Sequence, residues 1–168
     1  TFGQWMVTGS TPLQKIDASA EGVNVTFDVN SFRGKSTLTE LLINGKNATY
    51  TFNNESFREC SGLTEIVLGE GSTYDFKGGC FNITNNFTRF DGSASGITAI
   101  IGNNVFQNRS KLTEVTFGEN SNYTFGNYAF SGTVPTNPVV FAGTSTFSFG
   151  QESFRYADFA SITFEDGC

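Results

Sequence analysis

The sequence predicts an all-β-rich solenoid, open and right-handed, with about seven turns of 24–25 residues. Three observations carry this expectation. Phe32, Phe57, Phe81, Phe106, Phe130 and Phe154 recur at intervals of 25, 24, 25, 24 and 24 residues. A fixed period in this range marks a chain in which each repeat is one turn stacked on the last. Between these phenylalanines, apolar residues return in two short sets that alternate with polar ones, the period of two expected of strands. Composition agrees: Phe, Thr, Ser, Gly and Asn abound, Met occurs once and Pro three times, and no helical apolar stripe is visible.

The first strand of each turn follows from counting forward from the ladder phenylalanine. Six residues on stand Leu38, Leu63, Phe87 and Leu112; nine on stand Leu41, Ile66, Phe90, Val115 and Val139. Eleven on stand Ile43, Leu68, Phe117 and Phe141, with Gly92 the exception. A polar bend rich in Gly and Asn, which permit positive φ, leads to a second strand. Its inward pairs are Val25/Phe27, Tyr50/Phe52, Tyr74/Phe76, Ala99/Ile101, Tyr123/Phe125 and Phe147/Phe149, residue types that suit a half-buried pleated ribbon. Five residues then lead to the next ladder position, as a turn or a single helical turn.

The flanks keep register. Leu13, Ile16 and Ala18 fall where an earlier turn needs them, and Phe159, Ile162 and Phe164 repeat the pattern with one residue deleted. The whole of 1–168 reads as one solenoid domain, with 1–12 an N-terminal cap or part of a preceding turn and the C-terminal turn truncated at Cys168. The start at Thr1, without Met or signal peptide, is that of a mature or excised fragment. Two turns break pattern, residues 82–96 with Asp91-Gly92 in a strand and residues 131–139 with Pro135 and Pro138. They read either as drift in a tolerant repeat or as a notch shaped for a ligand.

A formal charge of −6 argues against nucleic acid and anionic membranes as partners. No apolar run is long enough to span a bilayer. Histidine is absent, which removes the commonest general base and metal ligand; no cofactor and no metal are expected. Three cysteines make no disulfide framework. Cys80 precedes its ladder phenylalanine, where other turns carry Ser31, Ser56, Val105, Ala129 and Ser153, so it reads as a small buried residue. Cys60, three after Phe57, reads as partly exposed, and Cys168 as free or paired elsewhere.

The stretches L-T-E-L-L-I, L-T-E-I-V-L and K-L-T-E-V-T-F, with Y-T-F-G-N-Y-A-F-S-G and F-R-E-C-S-G-L, resemble the BspA-like (Treponema-type) leucine-rich repeats of bacterial and protist surface proteins. The resemblance covers about residues 13–165, and Cys60 falls on the family cysteine. The chain departs from the pattern in lacking the proline after the first strand and in a second strand richer in Tyr and Phe. The resemblance implies a secreted or cell-surface protein, non-enzymatic, whose repeats bind a protein or glycan of a host, matrix or other cell.

Successive first strands should align in a parallel sheet on the concave face. Its outward columns read Glu40, Glu65, Arg89, Glu114, Pro138 and Leu42, Val67, Asp91, Thr116, Val140. Glu40, Leu42, Glu65, Val67, Arg89, Asp91, Glu114, Thr116 and Val140 are the candidate binding residues; equally, Arg89 between Glu65 and Glu114 is a cross-strand pairing that relieves carboxylate repulsion. The outward column of the second strand, Thr26, Thr51, Asp75, Ile100, Thr124 and Ser148, reads as strand-favouring, and Asp75 and Ile100 interrupt any ice-binding array. Asn-x-Ser/Thr sites stand at Asn24, Asn47, Asn54, Asn82, Asn86, Asn108 and Asn122, acceptors if the protein enters a glycosylating pathway. Asp91-Gly92-Ser93 and Glu165-Asp166-Gly167 lack the ligand spacing of a calcium loop and read as turns. Two other functions share the period: a structural spacer, and a β-helix enzyme on acidic polysaccharide using Glu40, Glu65 and Asp91.

Overall fold

The structure, a computed structural model, describes residues 1–7 and 12–167; part of the expected N-terminal cap, and Cys168, lie outside the described residues. In chain order the strands are β1 (Lys15–Asp17), β2 (Asn24–Phe27), β3 (Glu40–Leu42), β4 (Thr49–Phe52), β5 (Glu65–Val67), β6 (Thr73–Phe76) and β7 (Arg89–Gly92). Then follow β8 (Thr98–Ile101), β9 (Glu114–Phe117), β10 (Asn122–Phe125), β11 (Val139–Phe141), β12 (Thr146–Phe149) and β13 (Ile162–Phe164). Odd strands are the first strands of their turns and even strands the second. About six turns stack as a parallel β-solenoid, with turns rather than a helical segment between each second strand and the next first strand.

The second strands form one uninterrupted parallel sheet in the order β12-β10-β8-β6-β4-β2. The first strands do not. They fall into three blocks, β1-β3, β5-β7-β9 and β11-β13. Both seams have a cause in the outward column. At the β3/β5 seam Glu40 and Glu65 occupy equivalent positions, where like charges oppose pairing; Lys15 faces Glu40, and Arg89 lies between Glu65 and Glu114, within the blocks. At the β9/β11 seam the column residue is Pro138, which has no N–H to give a ladder. There the Asn137 side chain takes over: its Oδ1 accepts from the Val115 N–H at 3.0 Å, and its Nδ2 donates to the Val115 carbonyl at 2.9 Å. One carboxamide thus satisfies both backbone groups that a missing strand residue would have met.

The ladder phenylalanines form the spine. Their ring centroids are 5.2, 5.8, 6.0, 5.0 and 5.4 Å apart from Phe32 through Phe154. All but Phe154 are buried, and the small residues before them are buried too. Ser31 and Ser56 are buried with hydroxyls that make no hydrogen bond, so that position selects size and not polarity. A second stack, Phe2–Phe27–Phe52–Phe76, runs beside it at 5.4, 4.8 and 4.7 Å. Offset and edge-on ring contacts at such separations add to the stabilisation that burial gives.

The backbone around each spine residue is a run of overlapping turns. Two positions per turn are left-handed: Asn30, Glu55, Gly79, Asn104, Tyr128 and Glu152 two before the phenylalanine, and Gly34, Glu59, Ile83, Asn108, Gly132 and Tyr156 two after. This geometry aims alternate N–H groups along the axis, so that Asn104, Phe106 and Asn108 donate to the carbonyls of Asn127, Ala129 and Ser131 of the next turn. The bend between the strands has its own left-handed column, Gly22, Asn47, Gly71, Gly96 and Asn120, as its Gly and Asn content predicts. Trp5 is left-handed as well, Phe2 bridges Phe27, and the Val7 N–H donates to the Ser31 carbonyl. The Val7 bond to Ser31 has its counterpart one turn on, where the Phe32 N–H donates to the Ser56 carbonyl.

Polar side chains complete the stacking. In three turns the residue three after the ladder phenylalanine donates to the ladder carbonyl of the preceding turn: Cys60 Sγ to Phe32 at 3.1 Å, Thr84 Oγ1 to Phe57 at 3.1 Å, and Arg109 Nη2 to Phe81 at 3.0 Å; Thr133 donates to Phe130 of its own turn at 2.8 Å. Cys60 is thus fully buried, which corrects the expectation of partial exposure. Tyr50, Tyr74 and Tyr123 reach back to the carbonyls of Ala18, Ile43 and Gly92, each at 2.7 Å.

At Asp91-Gly92 the irregular turn is filled. A Cβ on Gly92 would lie 3.0 Å from both the Thr116 carbonyl oxygen and the Tyr123 hydroxyl. The small residues Gly92 and Ala99 are offset by Phe87 and Phe90 in the same turn, both buried, where neighbouring turns carry Leu, Ile or Val. The two larger rings thus take up part of the space that the two small residues leave.

Truncation of the spine, Phe106→Ala, is expected to cost about 3–5 kcal/mol in urea unfolding, as for other buried phenylalanines. Ile83 is β-branched and left-handed at φ 60°, a conformation unfavourable by roughly 1–2 kcal/mol for such residues. Ile83→Asn, the type found at 108, should therefore raise the melting temperature; a fall would show that its side-chain packing outweighs the backbone strain.

Candidate functional site

The first-strand face carries the nine candidate residues on five strands: Glu40 and Leu42 on β3, Glu65 and Val67 on β5, Arg89 and Asp91 on β7, Glu114 and Thr116 on β9, and Val140 on β11. The ladder brings six of them into two columns, Glu65–Arg89–Glu114 and Val67–Asp91–Thr116. It does not bring the other three into the same sheet. Glu40 and Leu42 pair with Lys15 and Asp17, and Val140 with Thr163.

Arg89 is the centre of charge. Its Nε lies 3.0 Å from Glu114 Oε1, its Nη1 3.4 Å from Glu65 Oε2 and its Nη2 2.5 Å from Asp91 Oδ2. The Glu114 hydrogen bond leads in raising the guanidinium pKa further, against the opposing effect of burial. Burial of Asp91 would push its carboxyl up. The hydrogen bonds that it accepts from Ser93 and Thr116, together with Arg89, outweigh this and hold it below the usual carboxylate range. Asp91 Oδ1 accepts from the Ser93 N–H at 2.9 Å, but Asp91 and Gly92 are the end of β7 and not the turn that the spacing suggests. The exposed pairs to Glu65 and Glu114 are worth little each, about 0–1 kcal/mol.

Three carboxylates around one guanidinium leave this patch acidic. Along the face, Lys15 and Arg89 stand against Asp17, Glu40, Glu65, Asp91 and Glu114. Half-buried Leu42, Val67 and Val140 interrupt the charge with apolar surface. At the β3/β5 seam, Glu40, Leu42, Glu65 and Val67 line a cleft of about 170 Å³. The column arrangement was readable from the repeat; the cleft was not, although the succession Glu40, Glu65 in one column was its signal.

The ionisable groups of this face are exposed or clamped by one another, and no group of three or more His, Cys, Asp or Glu among the described residues is arranged to hold a metal. The spine, the cross-turn bonds and the variable outward columns together define a solenoid repeat protein, a scaffold whose surface varies over a constant core. A sequence model of the BspA type leucine-rich repeat region matches residues 25–160 in six copies. The chain belongs to that family. No curated protein and no solved structure matches it.

Two outcomes test this chemistry. Asp91 has a lowered folded-state pKa, so its contribution to stability is present above the unfolded value, about 3.9, and is lost as pH falls through the folded one. Asp91→Asn should cost about 1–3 kcal/mol at pH 7 and flatten the acid limb of the stability curve. Burial pushes the Cys60 thiol up to about 12, and that of Cys80 well above its ordinary range. Both should resist a disulfide reagent in the native protein and react once it is unfolded in denaturant; rapid native modification of either would contradict their placement.

Proposed function

We propose that this chain is a non-enzymatic recognition module, a single solenoid domain of a secreted or cell-surface protein, which binds a protein partner through its first-strand face. The observation that carries the reading is the division of labour within each turn. Inward positions stay apolar from turn to turn, with Gly92 the exception, whereas the outward first-strand positions change in charge and polarity: Lys15, Glu40, Glu65, Arg89, Glu114 and Pro138 in one column alone. Membership of a leucine-rich repeat family supports protein binding. An adhesive role at a host, matrix or other cell surface accords with the commonly surface-associated character of the family.

The chemistry of the face sets the kind of partner. Carboxylates outnumber cations, and apolar Leu42, Val67 and Val140 lie among them. A protein surface that presents Lys or Arg around an apolar patch would match, since complementary charge steers encounter while buried apolar contacts hold the complex.

The test is a binding screen of the immobilised chain against matrix proteins, glycans and host-cell surface extracts, followed by Val67→Asp and Arg89→Ala on any ligand found. Binding should weaken as ionic strength rises, and Val67→Asp should reduce affinity about tenfold or more without lowering the melting temperature. Full affinity in both variants would move the site off this face. Absence of any partner from a full screen would favour a structural spacer.

A further inference from the structure

A second concavity lies on the turn face, remote in chemistry from the acidic strip. It has a volume of about 460 Å³ and spans three successive turns, from Glu55 through Gly78 and Gly79 to Asn104 and Arg109. Volumes of this order hold small ligands. The opening is written in the sequence. At the two positions where neighbouring turns carry Asn54-Glu55 and Asn103-Asn104, the intervening turn has Gly78-Gly79 and no side chains. Five carboxamides line the space, those of Asn82, Gln107 and Asn108 among them. Each presents a planar donor and acceptor, the complement of adjacent hydroxyls.

The remaining lining charge is unusual. Arg109 is only 5% exposed, and its Nε has no hydrogen-bond partner. Its other nitrogens meet neutral oxygens only: the Phe81 carbonyl at 3.0 Å, the Gln107 carbonyl at 2.9 Å and Asn85 Oδ1 at 3.3 Å. Among the described residues no carboxylate forms an ion pair with it; Glu55, the one acid lining the space, is held by Arg58 at 2.9 Å. The ladder bond at this position does not require a cation, although Lys35 is a second buried one in the same column. Thr84 and Cys60 donate the same bond to the preceding ladder carbonyl with neutral side chains. A buried guanidinium without an anion is unfavourable, and a ligand carboxylate would relieve it.

We propose that this pocket binds an acidic sugar, its carboxylate drawn to Arg109 and its hydroxyls read by the surrounding amides. The site is independent of the protein-binding face and stands or falls separately from it. Asn82 and Asn108 are also Asn-x-Ser/Thr asparagines, so the material for the test is protein made without N-glycosylation.

Sodium D-galacturonate and, in parallel, neutral methyl galactoside would be titrated into the isotope-labelled chain and followed by amide NMR. Galacturonate should shift the Gly78, Gly79 and Asn104 resonances and bind about tenfold or more tightly than the neutral sugar. Arg109→Thr, which keeps the ladder hydrogen bond in the manner of Thr84, should abolish the preference for the acid. Gly79→Asn, the residue type already left-handed at the equivalent Asn104, should fill the pocket and remove binding of both sugars while the fold persists. Equal affinity for acid and neutral sugar, or shifts that avoid these glycines, would overturn the proposal. Retention of the acid preference in Arg109→Thr would do so as well.

Discussion

Everything in this molecule depends on how one turn is bonded to the next. A turn of 24 or 25 residues cannot enclose a core alone, so its polar backbone must be satisfied by its neighbours along the axis. The structure does this on three sides. The second strands give an unbroken parallel ladder, the first strands a ladder in three blocks, and the overlapping turns a third set of axial bonds through alternate N–H groups. The left-handed residues make the third set possible, because each reverses the backbone direction that would otherwise hide the next N–H inside the turn. Phenylalanine stacking then fills the space that these bonds define. Spine and hydrogen bonds support each other: the Phe106 ring lies between Phe81 and Phe130 while its N–H meets the carbonyl of Ala129.

This explains how much the sequence reveals. Inward positions are read directly, because a period of two within a period of 24 leaves few alternatives for Leu63, Ile66 and Leu68 or for Tyr74 and Phe76. The bend glycines and asparagines are likewise legible, since few residues accept positive φ. The turn segment is not. Its left-handed positions hold Glu55, Glu59, Ile83, Tyr128 and Tyr156 as well as Gly and Asn, and nothing in a glutamate or isoleucine announces such a backbone. Context imposes the conformation there. The same holds for Cys60: spacing identifies its column, but only the bond to the Phe32 carbonyl shows that the column faces inward.

The candidate surface was legible in part for a related reason. A repeat fixes which positions point outward, and so Glu65, Arg89 and Glu114 form the expected column. What a repeat cannot fix is whether neighbouring strands stay paired when the outward residues conflict. Two carboxylates in succession, Glu40 and Glu65, coincide with one seam, and Pro138 with the other. The consequences differ. One seam is left as a cleft; the other is closed by the Asn137 amide, a substitution visible only in three dimensions.

The seams and the glycine pocket share one logic. The continuous second-strand sheet, the axial turn bonds and the aromatic spine keep the stack in register, so the first-strand sheet and the turn face are free to lose a ladder step or a side chain. Gly78-Gly79 opens a space without disturbing Phe81, which still stacks between Phe57 and Phe106. Arg109 in turn keeps its bond to the Phe81 carbonyl and adds a charge that the spine does not need. Local departures from the repeat are therefore where recognition chemistry can enter at low structural cost. In this chain they lie on two different faces: one is acidic and apolar, and the other is amide-lined around a buried cation.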